Sequence, residues 1–192
     1  DLVKKKGATV VWCGDSNMFM YNKTAKIKEM LEKKINICIG TDSPMSGGEN
    51  LLYEMKFDKK LYKKLYGEEL PDETIYRMVT VNPAKGFRLY DSGSIKEGNI
   101  ADFVVVKDRG GSYINSVVSA SLKDIMLVVM NGLPAYGDVE FAGLFDSLNV
   151  QYQEVVMDGV EKVIIGDLKA LLRRISRAVG FKKEFPFMPV EF

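Results

Sequence analysis

Histidine is absent from the 192 residues of this chain. That absence excludes a Ser-His-Asp triad built from these residues alone, and it excludes a zinc or iron site held by imidazoles. Catalysis confined to the chain has to use Asp, Glu, Lys, Tyr, Cys or Ser. Charge of neither sign is in excess: 27 basic residues stand against 26 acidic ones, a net charge of +1. There is thus no electrostatic case for nucleic acid or a membrane surface as partner. No apolar run approaches the ~20 residues of a membrane span. Cysteine occurs only as Cys13 and Cys38, each inside an apolar run. Two such residues read as buried thiols of a reducing, cytoplasmic compartment and not as a disulfide framework. The opening DLVKKKGATVVW carries neither an initiator methionine nor a signal-peptide pattern, and reads as the middle of a protein.

What is present suffices for an ordinary core, since 46% of the residues are hydrophobic. Residues 8–13, ATVVWC, form a compact apolar run that predicts a buried strand. Residues 14–22 read as a loop through Gly14, Asp15, Ser16 and Asn17. From Asn22 a helical stripe follows, with Ile27, Met30, Leu31 and Ile35 on one side and a Glu29–Lys33 pair on the wet side. INICIG is a second buried strand that runs into Thr41 and Asp42. Strand, helix, strand in one sheet implies parallel pairing and a right-handed crossover. NLLYEMKFDKKLYKKLYG predicts a long helix closed by Gly67, with the lysines of KKLYKK on its solvated face. A short helix follows from Pro71-Asp72, and VNPAKGF predicts another with Asn82 as its N-cap and Pro83 in its first turn.

After Leu89 the pattern turns to β. Asn131-Gly132 and Asp158-Gly159, each between apolar runs, predict two type I′ hairpins in a small antiparallel unit. GDLKALLRRISRAVG is an amphipathic helix over 167–179, capped by Asp167 and ended by Gly180. The tail FKKEFPFMPVEF reads as an extended strap. A boundary near residues 88–93 separates 1–88 from 89–192.

Several short motifs imitate chemistry. CGDSN and YDSGS each hold an Asp-Ser pair, but a nucleophilic serine needs an adjacent base. SGGEN is either a flexible loop or an anion cradle at a helix start; it lacks the Lys-Ser/Thr of a P-loop. Met18 to Tyr21 line either a pocket or the core. Asp42 differs because the last residue of a buried strand lands at the carboxyl end of a parallel sheet, where α/β folds bind ligands. By position alone it is either a loop cap or a functional carboxylate.

The order GATVVWC-x-x-SN-x-F, then I-x-I-GTDS-x-x-SG-x-x-NLL-x-E, then VTVNPAKGFRL, then GSIKEGNIADFVVV is similar to the C-terminal part of the amidohydrolase superfamily, in its deaminase and chlorohydrolase-like branch. The resemblance runs nearly end to end and implies the last strands and helices of a TIM (β/α)8 barrel, followed by the C-terminal share of a small β-sandwich and a C-terminal helix. Residues 8–13 then match barrel strand seven and 35–41 strand eight. Asp42 matches the aspartate that contacts the metal and handles protons for the attacking water. Asn17 matches the SN of that branch, and Ser46 lies in the site loop; both are substrate-side candidates. The family holds its metal mainly by histidines on strands one, five and six, which are not here, and its common CP after strand seven is Cys13-Gly14 in this chain. The resemblance therefore implies a fragment of a metal-dependent hydrolase of C–N bonds, acting by ring deamination or cyclic-amide opening. Its full-length parent would carry zinc or iron and a small-molecule substrate. The isolated chain is expected to be inactive, to bind no metal, and to self-associate or pair with a missing N-terminal half. The rival reading is a non-catalytic interaction module built on the β unit.

Overall fold

A computed structural model describes residues 2–182, 185 and 188–191. Contacts divide the chain into two units: Asp1–Asn99 together with Arg109–Ser119, and Ile100–Asp108 together with Ala120–Phe192.

The first unit carries helix α1 (Leu2–Lys5), strand β1 (Thr9–Trp12), α2 (Gly14–Tyr21), α3 (Ile27–Glu32), β2 (Asn36–Ile39), α4 (Leu51–Tyr66), α5 (Asp72–Val79), α6 (Val81–Phe87) and α7 (Tyr113–Val118). β1 and β2 form a two-stranded parallel sheet, as the strand–helix–strand order predicts, with Thr9 opposite Asn36 and Trp12 opposite Ile39. Its core gathers Trp12, Ile27, Ile37, Leu61, Ile75 and Val118, all but inaccessible to solvent. Trp12 points its indole N–H at Thr24 Oγ1 at 2.8 Å, the polar partner that a buried indole needs. α4 starts at Asn50, whose side chain accepts from Tyr53 N at 3.0 Å, and ends at Gly67 in the left-handed region.

Four expectations for this unit change. Residues 14–21 are a helix and not a loop: the first-turn amide of Asp15 is satisfied by Glu54, far along the chain, so the local Gly-Asp-Ser-Asn composition does not decide. The third helix begins at Ile27 and not Asn22, and Lys26 pairs with Glu29 at 3.0 Å. Asn82 is not an N-cap. Thr80 holds that position, and Asn82 instead donates to the Ile37 carbonyl at 2.8 Å while Asn36 donates to the Asn82 carbonyl at 2.9 Å, stitching α6 to β2. Lastly, β1 is not wholly buried: Val11 is 54% exposed, and Cys13 is half-buried whereas Cys38 is buried.

The second unit is one six-stranded antiparallel sheet in the order β3-β4-β5-β7-β6-β8. Its strands are β3 (Phe103–Val106), β4 (Ile125–Met130), β5 (Leu133–Asp138), β6 (Tyr152–Met157), β7 (Val160–Ile165) and β8 (Val190–Glu191), with helices α8 (Ala142–Ser147) and α9 (Leu168–Val179). Both expected hairpins are present. Asn131 (φ 51°) with Gly132 and Asp158 (φ 52°) with Gly159 have the positive φ at both central positions that a type I′ turn requires. Asp167 caps α9 by accepting from Ala170 N at 2.7 Å, and Gly180 ends it. Of the expected strap, residues 190–191 pair with β6, while 183, 184, 186, 187 and 192 lie outside the described residues. No helix among the described residues is long and apolar enough to cross a membrane.

Candidate active site

β2 ends at Ile39, and three residues later Asp42 stands beyond the carboxyl end of the parallel pair, exposed, with its backbone at φ 58°. A non-glycine residue in that region is uncommon, though Asp is among those that tolerate it. Strain of this kind persists only where the surroundings hold it. Here they do. Asp42 Oδ2 accepts from Ser16 Oγ at 2.6 Å and from Ser46 Oγ at 3.3 Å, and the two hydroxyls are 3.4 Å apart. The Asp42 amide hydrogen faces the Cys13 sulfur, but burial, joined by the charges of Glu54, Asp42 and Asp58, pushes that thiol up and keeps it protonated.

Of the residues singled out in the sequence, Asp42 and Ser46 are thus brought together. Asn17 stands one residue from Ser16 on α2, but its carbonyl oxygen accepts from Thr24 Oγ1 at 3.1 Å, the hydroxyl that also receives Trp12. It belongs to the chain of bonds that fixes α2 over the core. Of the Met18–Tyr21 cluster, Met18 packs against the core while Phe19 and Tyr21 are exposed. In SGGEN, Asn50 is the cap of α4.

Three residues escaped the sequence reading. Ser16 is fully buried, and it sits within CGDSN, where its neighbour Asp15 suggested the wrong chemistry. Glu54 and Asp58 are also fully buried, on one face of α4. Their signal was phase: they lie at i and i+4 on a stripe that continues to Leu61, where an acidic side chain has to be explained.

Among the described residues no three or more Cys, Asp or Glu side chains gather in a way that would hold a metal ion. The site offers one exposed carboxylate and two hydroxyls. That set orients a proton acceptor and can supply one ligand, but it does not fit a resident metal by itself.

The chain is 33% identical over 173 residues to the 5-methylthioadenosine/S-adenosylhomocysteine deaminase of Pyrococcus furiosus, covering 85% of this chain and 39% of that protein. It is 32% identical over 148 residues to the deaminase of the same name from Halalkalibacterium halodurans, covering 72% and 34%. The chain therefore spans little more than a third of the length of these relatives. In fold it superposes on the adenosine deaminase of Xanthomonas campestris, solved with bound zinc, with a TM-score of 0.65 at 22% identity over 77% of this chain and 37% of that one. The model of the amidohydrolase family matches residues 1–152, most of the length, and the chain belongs to that family.

Proposed function

We propose that the whole protein hydrolyses C–N bonds of small molecules, by deaminating a ring amine or opening a cyclic amide. Residues 1–88, joined by the returning α7, would be the last strands and helices of its (β/α)8 barrel, and the rest of 89–192 the C-terminal share of a β-sandwich with its terminal helix. The observation that carries this reading is the exposed Asp42 carboxylate at the strand end, held through Oδ2 by two serine hydroxyls. With Oδ2 so engaged, Oδ1 is the atom that takes a proton from the attacking water and returns it to the leaving nitrogen. Ser46 and Asn17 border the substrate side of this acid/base. A divalent metal, zinc or iron, belongs to the whole enzyme in this reading; Asp42 is the single position in the chain that would touch it, and its remaining ligands would come from elsewhere.

Asp42→Asn in the whole protein keeps the shape and removes the base. Ammonia release from 5-methylthioadenosine and S-adenosylhomocysteine should fall at least ~100-fold, the usual scale for a lost general base. Near-normal release would return Asp42 to a loop cap. Release from neither compound by the unmodified protein would remove this substrate class.

The isolated chain should not be a well-behaved monomer. Among the described residues β1 and β2 pair only with each other, and Val11, Phe19 and Tyr21 are exposed in the same unit. Bare strand edges and apolar patches recruit other chains. The expected sedimentation coefficient rises with concentration; a constant monomer value contradicts this.

A further inference from the structure

Glu54 and Asp58 stand one turn apart on α4, both fully buried. Glu54 Oε1 accepts from the Asp15 amide at 3.0 Å. The amides of Gly48 and Gly14 also face the Glu54 carboxylate. Glu54 Oε2 and both Asp58 oxygens make no hydrogen bond of ordinary geometry. The fit against the backbone is tight. A Cβ on Gly14 would lie 1.8 Å from Asp58 Oδ1, and one on Gly48 would lie 2.4 Å from Glu54 Oε2. The two acidic side chains therefore press on the segment after β1 and on the segment after β2 at once, and glycine is what lets both backbones approach.

Those two segments carry the two halves of the site. Ser16 follows Asp15 by one residue and is the closer donor to Asp42, at 2.6 Å. If α2 slid or frayed at its first turn, Ser16 would leave Oδ2. No side chain caps that turn from its own N-cap position, where Cys13 makes no side-chain cap bond. Glu54 supplies the missing acceptor where a helix N-terminus favours negative charge. A neutral acceptor would satisfy these amides at lower cost than burying two carboxyls without a cation. The bland alternative, that the pair is merely a distant cap, leaves that cost unexplained. Burial raises both groups, Asp58 to about 9, so Asp58 is protonated at neutral pH, while at Glu54 the backbone amides that face the carboxyl work against the rise.

We propose that Glu54 is a positioning residue for Asp42. It fixes the first turn of α2 through the Asp15 amide, and thereby holds Ser16 Oγ against Asp42 Oδ2. This rests on the reading of Asp42 as the acid/base. Asp58 fills the space beside Gly14.

The test compares Glu54→Ala, Glu54→Gln and Leu61→Ala in the whole protein, with amide exchange at Asp15 followed in this chain. Glu54→Ala should lower kcat by about 10–100-fold, the scale for removing a supporting partner of a site ligand, while KM moves by less than about threefold. Glu54→Gln, which keeps an acceptor for Asp15, should recover most of kcat and restore slow Asp15 exchange. Leu61→Ala, which loosens the same helix from the core, should leave kcat near the wild-type value. If Glu54→Ala does not fold, Glu54→Asp, one methylene too short to reach Asp15, replaces it with the same expectation. A wild-type kcat in the Ala or Asp variant overturns the proposal, as does an equal loss in Leu61→Ala. Fast Asp15 exchange with full turnover would show the clamp to be real but unconnected to the reaction. Full turnover in Asp42→Asn would instead overturn the acid/base reading, and this inference with it.

Discussion

Asp58→Asn should be more stable than the parent chain at pH 8, and its stability in the first unit should depend far less on pH between 5 and 9. Burial first, then the nearby charges of Glu54 and Asp15, push the Asp58 carboxyl up to about 9, with the Gly14 amide working weakly the other way. In the unfolded chain the group releases its proton near its ordinary value of 3.8. Below that value both states are protonated and Asp58 adds no pH dependence. Between the two values the native state holds a proton that the unfolded state has given up. Stability therefore falls as pH rises, by up to about 1.4 kcal/mol per pH unit for one proton. Above the folded value the slope ends. Asparagine keeps the shape and cannot titrate, so this component disappears. Glu54, also raised by burial, leaves a residual slope of the same sign. Trp12 is the sole tryptophan and lies in the core of this unit, so urea unfolding followed by its fluorescence reads the effect directly. Parallel stability–pH curves for the two proteins would sink the account.

Lys162→Ala should lose about 3 kcal/mol of stability in the second unit, the lower end for breaking a buried ion pair. Lys162 is fully buried on β7, opposite Asp138 on β5 in the ladder. Its ammonium pairs with the Asp138 carboxylate and donates to the Ile125 carbonyl at 2.7 Å, and it sits 5.6 Å from the centre of the Tyr136 ring. Truncation leaves the carboxylate and the carbonyl without their cation and opens a cavity where the four-carbon stem packed. The neighbouring Tyr136 hydroxyl also lacks a partner and is held up to about 12, chiefly by burial. Circular dichroism of the sheet during denaturation measures the loss. Adding Asp138→Asn should cost less than the sum of the two single changes, because both remove the same interaction. A loss below about 1 kcal/mol would place this pair with ordinary surface ion pairs.

Elements whose specification is local were readable in the chain. Asn131-Gly132 and Asp158-Gly159 set their turns by residues that accept positive φ, and Asp167 and Gly180 bracket α9 within a single segment. Asp42 was expected to close its strand, but β2 ends at Ile39, three residues before it. What a distant residue specifies was not readable. α2 forms because Glu54 reaches back 39 positions to its first turn, and no window around Gly-Asp-Ser-Asn contains that information. Asn82 carries the signature of a cap but spends its amide on Ile37, a choice made by the approach of α6 to β2. Ser16 likewise became part of the site only once two segments met. Glu54 and Asp58 look like surface charges on a lysine-rich helix until their phase with Leu61 is taken literally.

The path of the chain through residues 100–119 bears on how the protein is made. After Asn99 it leaves the first unit to build β3, comes back at Arg109 to add α7, and departs again after Ser119. Val118 on that returning helix is part of the first unit's core, and Ile114 packs against it. A ribosome that has released residues 1–99 has not yet supplied everything this core needs. The nascent first unit must wait about twenty residues more, with β3 already emerged and its sheet partner β4 still inside the ribosome. Folding of the two units is thus interleaved in time by the thread itself, and a gene cut between them at any single codon would leave one of them short.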